Sequence, residues 1–310
     1  NCRRGAICAI SDAPPLSNFV SSTRPPSPNN KLDSLAETIA RHGLEARKSL
    51  GQHFLLDANL CARIARAAEP LDGVTVLEIG PGPGGLTRAL LHAGARRVVA
   101  VERDGRCVAA LAELARAWPD RLEIIEADAL KIDLAARLSG TRLRVPVKIV
   151  ANLPYNVGTA LLIGWLGAPE RYDSLTLMFQ KEVAARLTAA PGSKEYGRLS
   201  ILAQWRCRTR RLFDVSAKAF TPPPKVTSSV VQLIPRATPL FPADANALAR
   251  VTAAAFGQRR KMMRAAMKGL VADPADFLAA NGVDPRARAE TLDIELFCAL
   301  ARALPPDAQK

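Results

Sequence analysis

Short apolar runs recur through the middle of the chain, at residues 74–79, 98–102, 122–126, 147–151, 174–179 and 228–234. Each has strand length, and Gly, Pro, Asn or Asp residues punctuate the chain around them. Helical spacing fills the intervals between the first five. This alternation predicts an α/β fold, a mostly parallel sheet with helices on both faces. After Pro235 the β-branched runs stop, and residues 244–304 are Ala-rich with helical spacing, broken at Asp273-Pro274 and Asp284-Pro285. A small all-helical C-terminal domain is expected there, which divides the chain into 33–237 and 238–310.

Residues 1–32 differ in kind. They are rich in Pro and Ser, with Arg3, Arg4, Arg24 and Lys31 against Asp12. Such a composition builds no core, so a disordered extension is expected. An Arg-rich, acid-poor leader is also what a mitochondrial transit peptide looks like, but an extraneous leader is the preferred reading. The six cysteines form no C-x-x-C pair and no His stands at metal-ligand spacing, which points to a reducing compartment, with the cytoplasm expected and no metal site. No apolar run approaches the ~18 residues of a membrane span.

The 43 basic residues exceed the 29 acidic ones by 14. An excess of this size calls for a polyanion, nucleic acid before membrane. It is unevenly placed. Arg206, Arg208, Arg210 and Arg211 cluster, and residues 245–272 hold Arg250, Arg259, Arg260, Lys261, Arg264 and Lys268 without an acid. Arg260, Arg264 and Lys268 recur at four-residue spacing, so one basic helix face is expected.

The segment Glu78-Ile79-Gly80-Pro81-Gly82-Pro83-Gly84-Gly85 follows the first strand and opens a helix, the setting of a nucleotide site. It suits a pyrophosphate poorly. Pro81 and Pro83 lack N–H donors, and the Glu78 carboxylate repels phosphate. A nucleoside with a cationic tail fits, and S-adenosylmethionine is such a ligand. Glu102, at the end of the second strand, is placed to bind ribose hydroxyls. Asp104 reads as a helix cap. Asp128 reads equally as an acceptor for the adenine amine and as a turn residue. After the fourth strand, Asn152-Leu153-Pro154-Tyr155 offers an amide, a carbonyl whose direction the proline fixes, and a ring, a set suited to a planar base with an exocyclic amine.

These segments occur in one order with Lys48 to Leu55, Gln180-Lys181-Glu182-Val183, Tyr196-Gly197-Arg198-Leu199 and Phe220 to Val226. In that order the chain resembles the small-subunit ribosomal RNA adenine N6,N6-dimethyltransferase family, the KsgA-type enzymes, from about residue 45 to about 304. The resemblance implies a class I, Rossmann-like methyltransferase fold with a small helical C-terminal domain. It implies a cofactor site of His53, Leu55, Gly80, Glu102, Asp128 and Asn152, beside Glu78 and Gly82 of the glycine loop. His53 stands where the family often has Asn.

The implied reaction is dimethylation of two adjacent adenines in a helix-end loop of small-subunit rRNA, linked to subunit biogenesis. Asn152 and the Leu153 carbonyl would accept the amine hydrogens, Pro154 would aim that carbonyl, Tyr155 would stack on the base, and Phe220 would cover its other face. Arg206, Arg208, Arg259, Arg260, Lys261, Arg264 and Lys268 are the candidate phosphate contacts. The expected partner is the immature small ribosomal subunit, and a monomeric enzyme is expected. A DNA adenine methyltransferase is the competing reading. Those enzymes commonly carry Asp or Asn followed by Pro-Pro-Tyr, and Leu153 argues against it.

Overall fold

The computed structural model describes residues 33–47, 50–132 and 147–305, so the expected extension at 1–32 lies outside the described residues. The order of elements begins α1 (Leu35–Arg41), β1 (Phe54–Leu55), α2 (Ala58–Ala67), β2 (Thr75–Ile79), α3 (Gly85–His92), β3 (Arg97–Glu102), α4 (Gly105–Ala117) and β4 (Leu122–Glu126). It continues β5 (Val147–Asn152), α5 (Gly158–Gly167), β6 (Ser174–Gln180), α6 (Lys181–Leu187), α7 (Arg198–Arg206), β7 (Cys207–Val215), β8 (Phe220–Thr221) and β9 (Ser228–Pro235). The six strands expected from the apolar runs are all present, each end within one residue of its expected place.

Seven strands form one sheet in the order β4-β3-β2-β5-β6-β9-β7. The pairs β3–β4, β2–β3, β2–β5 and β5–β6 are parallel, while β9 runs antiparallel to β6 and β7. The chain winds outward from β2 to β4, then returns to β5 beside β2. That reversal opens a crevice at the carboxyl ends of β2 and β5, where open α/β sheets bind ligands.

The inner strands β2, β3 and β5 are mostly apolar on both sides because both faces of the sheet are covered there. Leu77, Ile79, Val99, Val101, Ile149 and Ala151 enter one cluster with Leu161, Leu162 and Trp165 of α5. Their neighbours Val76, Val98, Ala100 and Val150 enter a second with Ile64 of α2, Leu90 of α3 and Leu111 of α4. The alternation has the strand period of two. Strand β7 was not foreseen. Its sequence, Cys-Arg-Thr-Arg-Arg-Leu-Phe-Asp-Val, reads as a charge cluster, yet it forms the outer edge of the sheet through pairing with β9.

Helices α8 (Ala245–Gly257), α9 (Met263–Ala266), α10 (Pro274–Ala280) and α11 (Ile294–Ala303) follow. Asp273 caps α10, with Pro274 in its first turn, as the Asp-Pro break suggests. These helices share a third core cluster with Tyr196, Ile201 and Trp205, so their packing continues into α7.

The single basic helix face is corrected. Helix α8 ends at Gly257. Arg260 and Lys261 lie in the following turn, Arg264 lies in the four-residue α9, and Lys268 lies in the 3-10 turn Met267–Gly269. The cause is a competing set of bonds. Met263 N–H donates to the Ala287 carbonyl at 2.8 Å and Arg264 N–H to the Pro285 carbonyl at 3.0 Å. The resulting path buries Met263 and Met267 completely in the third core.

Candidate active site

The loop after β2 and the loop after β5 leave the sheet side by side and touch. Gly80 has φ +65°, and a Cβ there would meet Pro154 Cδ at 3.3 Å. Gly82, at φ +56°, likewise lies against the Phe54 ring, which a Cβ would meet at 3.1 Å. The two loops wall a cleft of about 980 Å³, counting the part open to solvent, and Asp128 and the segment from Leu50 to Leu55 complete it.

The glycine loop has little left to offer a phosphate. Gly80 N–H donates to the Val101 carbonyl at 2.9 Å and Gly84 N–H to the Pro81 carbonyl at 3.1 Å. Gly82 N–H donates to Glu102 Oε2 at 3.0 Å. With prolines at 81 and 83, each position from 80 to 84 either lacks its donor or has it engaged internally.

What the cleft offers is buried acidic groups. Glu78 is 1% exposed, and its Oε2 has no hydrogen-bond partner. Burial pushes this carboxyl up to about 8, Glu102 adds to the rise, and the nearby Thr87 hydroxyl tempers it without reaching hydrogen-bond geometry. An unpartnered carboxyl of this kind accepts a cation. Glu102 is also buried, and desolvation raises it despite three backbone donors, from Asp104, Gly82 and Arg103. A carboxylate has roughly four lone-pair sites and three are taken, so one remains for a ribose hydroxyl. Asp128 is a turn residue that also stands in the wall of the cleft. Its Oδ1 accepts Leu130 N–H at 3.1 Å in a turn, while the residue also lines the cleft, with Oδ2 at 3.7 Å from Arg103 Nη1. Asp104 caps α4, as expected. Arg106 and Gln52 hold its carboxyl down at about 2. This donor set fits S-adenosylmethionine: acids for its ammonium and ribose, and an amide-poor loop where no phosphate must bind.

Asn152 is oriented by its partner. Its Nδ2 donates to the His53 carbonyl at 3.2 Å, and a carbonyl only accepts, so the opposite atom of the amide is Oδ1, an acceptor. The Leu153 carbonyl takes no hydrogen bond from the described residues. The Leu153 side chain is 2% exposed and packs against Gly158, where a Cβ would meet it at 3.2 Å. Pro154 rests on Gly80. Two acceptors on consecutive residues are thereby held rigidly. The His53 ring reaches the Pro222 carbonyl through Nδ1 at 2.8 Å, so Nδ1 carries a proton. Tyr155 is half-buried, with its ring 5.5 Å from that of His53 and its hydroxyl 2.5 Å from Ser228 Oγ.

His53, Leu55, Glu78, Gly80, Gly82, Glu102, Asp128 and Asn152 to Tyr155 all line the cleft. Phe220 does not, which corrects its place as a cover for the base. Pairing of β8 with β1 sets Phe220 opposite Leu55 and buries it to 2% exposure in the second core cluster. It anchors the loop that presents Pro222. Ser228 escaped the sequence reading; its position just past the Pro-rich loop was the available signal.

Two phosphate contacts are also corrected. Arg206 is held by Glu170 at 3.0 Å and reaches the Gly167 carbonyl at 3.4 Å. Arg259 donates to the carbonyls of Tyr196 and Lys194 at 2.7 Å each and of Ser193 at 3.3 Å. Both are internal ties. Arg208, Arg260, Lys261, Arg264 and Lys268 are exposed.

The family model for ribosomal RNA adenine dimethylases matches residues 43–305. The ribosomal RNA small subunit methyltransferase A of Rhodospirillum rubrum is 60% identical over 278 residues, 90% of this chain and 94% of that protein. Its namesake from Paramagnetospirillum magneticum is 61% identical over 273 residues, 88% of this chain and 95% of that protein. A dimethyladenosine transferase from Plasmodium falciparum superposes with a TM-score of 0.66 at 25% identity, covering 80% of this chain and 96% of that one. The 23S rRNA methyltransferase ErmE gives 0.60 at 28% identity, over 81% and 99%. Fold, cleft and match agree, and the chain belongs to the ribosomal RNA adenine dimethylase family, the S-adenosylmethionine-dependent N6,N6-dimethyltransferases of rRNA adenine.

Proposed function

We propose that this chain dimethylates the N6 amines of two adjacent adenines in a helix-end loop of small-subunit rRNA. It does so in the cytoplasm, as a monomer acting on the immature small subunit, and so takes part in subunit biogenesis. The relatives' small-subunit activity and bacterial sources support the choice of RNA and compartment. The observation that carries the reading is the Asn152 amide, turned by the His53 carbonyl so that Oδ1 joins the free Leu153 carbonyl as a second acceptor.

Adenine N6 is a weak nucleophile because its lone pair is shared with the ring. Bound in the cleft, S-adenosylmethionine supplies an electrophilic methyl group. Asn152 Oδ1 and the Leu153 carbonyl accept the two amine hydrogens, favour a pyramidal nitrogen and stabilise the positive charge that develops on it. Tyr155 stacks on the base, worth roughly 1–3 kcal/mol. After one transfer a single N–H remains, so the second transfer retains one of the two bonds. The cationic nitrogen is acidic enough to lose its proton to water, and no strong base is needed. Alignment for displacement supplies the rest of the acceleration. The exposed cations of residues 208 and 260–268 hold phosphates, and residues 238–310 form the part that grips the RNA. Specificity comes from RNA shape and a splayed-out base.

The test is mass mapping of rRNA after unmodified small subunits are incubated with enzyme and S-adenosylmethionine. Two adjacent dimethyladenines are expected, with none in parallel incubations with DNA. Methylation by Asn152→Ala at the parent rate, or methyl groups found on DNA instead, would overturn the reading.

A further inference from the structure

Tyr155 is held from two sides. Its hydroxyl lies 2.5 Å from Ser228 Oγ, and its ring faces His53 at a 5.5 Å centroid separation and 33° between planes. Ser228 is fully buried at the first position of β9, in register with Gln180 of β6 and Val215 of β7. The backbone around it is tied down. Lys181 N–H donates to the Thr227 carbonyl at 2.9 Å. Ser229 donates to Asp214 Oδ1 at 2.6 Å, and Asp214 Oδ2 pairs with Lys181 Nζ at 2.7 Å. His53 is in turn fixed to the Pro222 carbonyl at 2.8 Å. One segment, 222–228, therefore anchors both rings.

A half-buried phenol without such an anchor turns about its side-chain torsions, since its terminal torsion is broad. Stacking on a base needs a plane of defined tilt. Burial raises the Tyr155 phenol further above neutral pH, and both partners in the bond are neutral hydroxyls. We infer that Ser228 is a positioning residue for methyl transfer, which by holding the Tyr155 hydroxyl fixes the ring that stacks on the target adenine. The inference rests on the reading of Tyr155 as that ring. It also gives the Tyr155 hydroxyl a purpose, because Phe would stack equally well without one.

The experiment compares Ser228→Ala, Tyr155→Phe, their combination and Tyr155→Ala in the full chain, using unmodified small subunits as substrate. Ser228→Ala and Tyr155→Phe should each lower kcat about 3- to 10-fold, the effect of one neutral hydrogen bond. KM for RNA and affinity for S-adenosylmethionine should stay at the parent values. The double variant should be no slower than Tyr155→Phe alone. Unchanged kcat in Ser228→Ala or in Tyr155→Phe overturns the role of Ser228. So does a Ser228→Ala loss that recurs in full when Tyr155→Phe is already present, since that marks a structural effect. If Ser228→Ala unfolds, Tyr155→Phe tests the same bond from its other end. Full activity in Tyr155→Ala would instead sink the stacking role itself, which separates the two failures.

Discussion

At the carboxyl ends of β2, β3 and β5, polar groups are buried or half-buried and most are oriented by a backbone partner. Glu102 is held by three N–H groups and Asn152 by the His53 carbonyl. On β7 and from the turn after α8 to the 3-10 turn after α9, Arg208, Arg260, Lys261, Arg264 and Lys268 are exposed. The difference follows from the two tasks. Methyl transfer needs acceptors fixed before the substrate arrives, and a low-dielectric cleft magnifies each one. Phosphate binding needs charge that can follow an irregular backbone, and exposed cations supply it without fixed geometry.

The cleft should break at a single atom. Replacing Asn152 by Ala removes one of two acceptors for the amine and should lower kcat by about 100-fold or more, the usual effect of deleting one oriented transition-state partner. RNA affinity should remain near the parent value, because phosphate contacts lie elsewhere. Transfer of radiolabelled methyl groups, with filter binding in parallel, checks both halves.

The basic surface should fail gradually. Reversing charge at Arg260 and Arg264 together should weaken RNA binding and lower the salt slope by about 2, close to one for each lost phosphate contact. Cofactor affinity should not move. An unchanged slope would show this surface to be merely solvated.

Charge in the cleft also answers to pH. The folded protein raises Glu78 from its ordinary 4.5 to about 8, so it holds a proton there that the unfolded chain has released. Between those values the folded state binds more protons, and this group's contribution to stability falls as pH rises. A cation bound at Glu78 reverses the preference. At pH 7, binding of S-adenosylmethionine should therefore expel a proton, visible by calorimetry in buffers of different ionisation enthalpy. Glu78→Gln should expel none, bind about tenfold more weakly and flatten the pH dependence of stability. Proton release unchanged in Glu78→Gln would move the cation site to Glu102.

The same contrast explains what the sequence revealed. The strands and glycine loop are local patterns, so their places were readable to within a residue. Strand β7 was hidden because an edge strand carrying Arg208, Arg210 and Arg211 looks like a charge run. Phe220 was misplaced because β1 and β8 are two residues long and pair across the chain, with no period to betray them. The ties of Arg206 to Glu170 and of Arg259 to Tyr196 span 36 and 63 residues, beyond any spacing rule. Net charge pointed to nucleic acid as the partner, while deciding which cations remain for it required the folded contacts.

Arg259 and Arg260 put that last distinction to its finest test. They are neighbours in sequence, yet Arg259 ties three carbonyls of the 193–196 loop and lies over the Phe256 ring, while Arg260 is exposed to solvent. Arg259→Ala should therefore cost about 1–3 kcal/mol, enough to lower Tm by several degrees in a chain of this size. Arg260→Ala should leave Tm within about a degree, because exposed substitutions rarely exceed ~0.5 kcal/mol. RNA affinity should show the reverse order, falling for Arg260→Ala at a temperature where both variants are fully folded. Scanning calorimetry with binding below both transitions decides it. Equal Tm values for the two variants would mean that the Arg259 ties contribute nothing to stability and that the residue is available to phosphate after all.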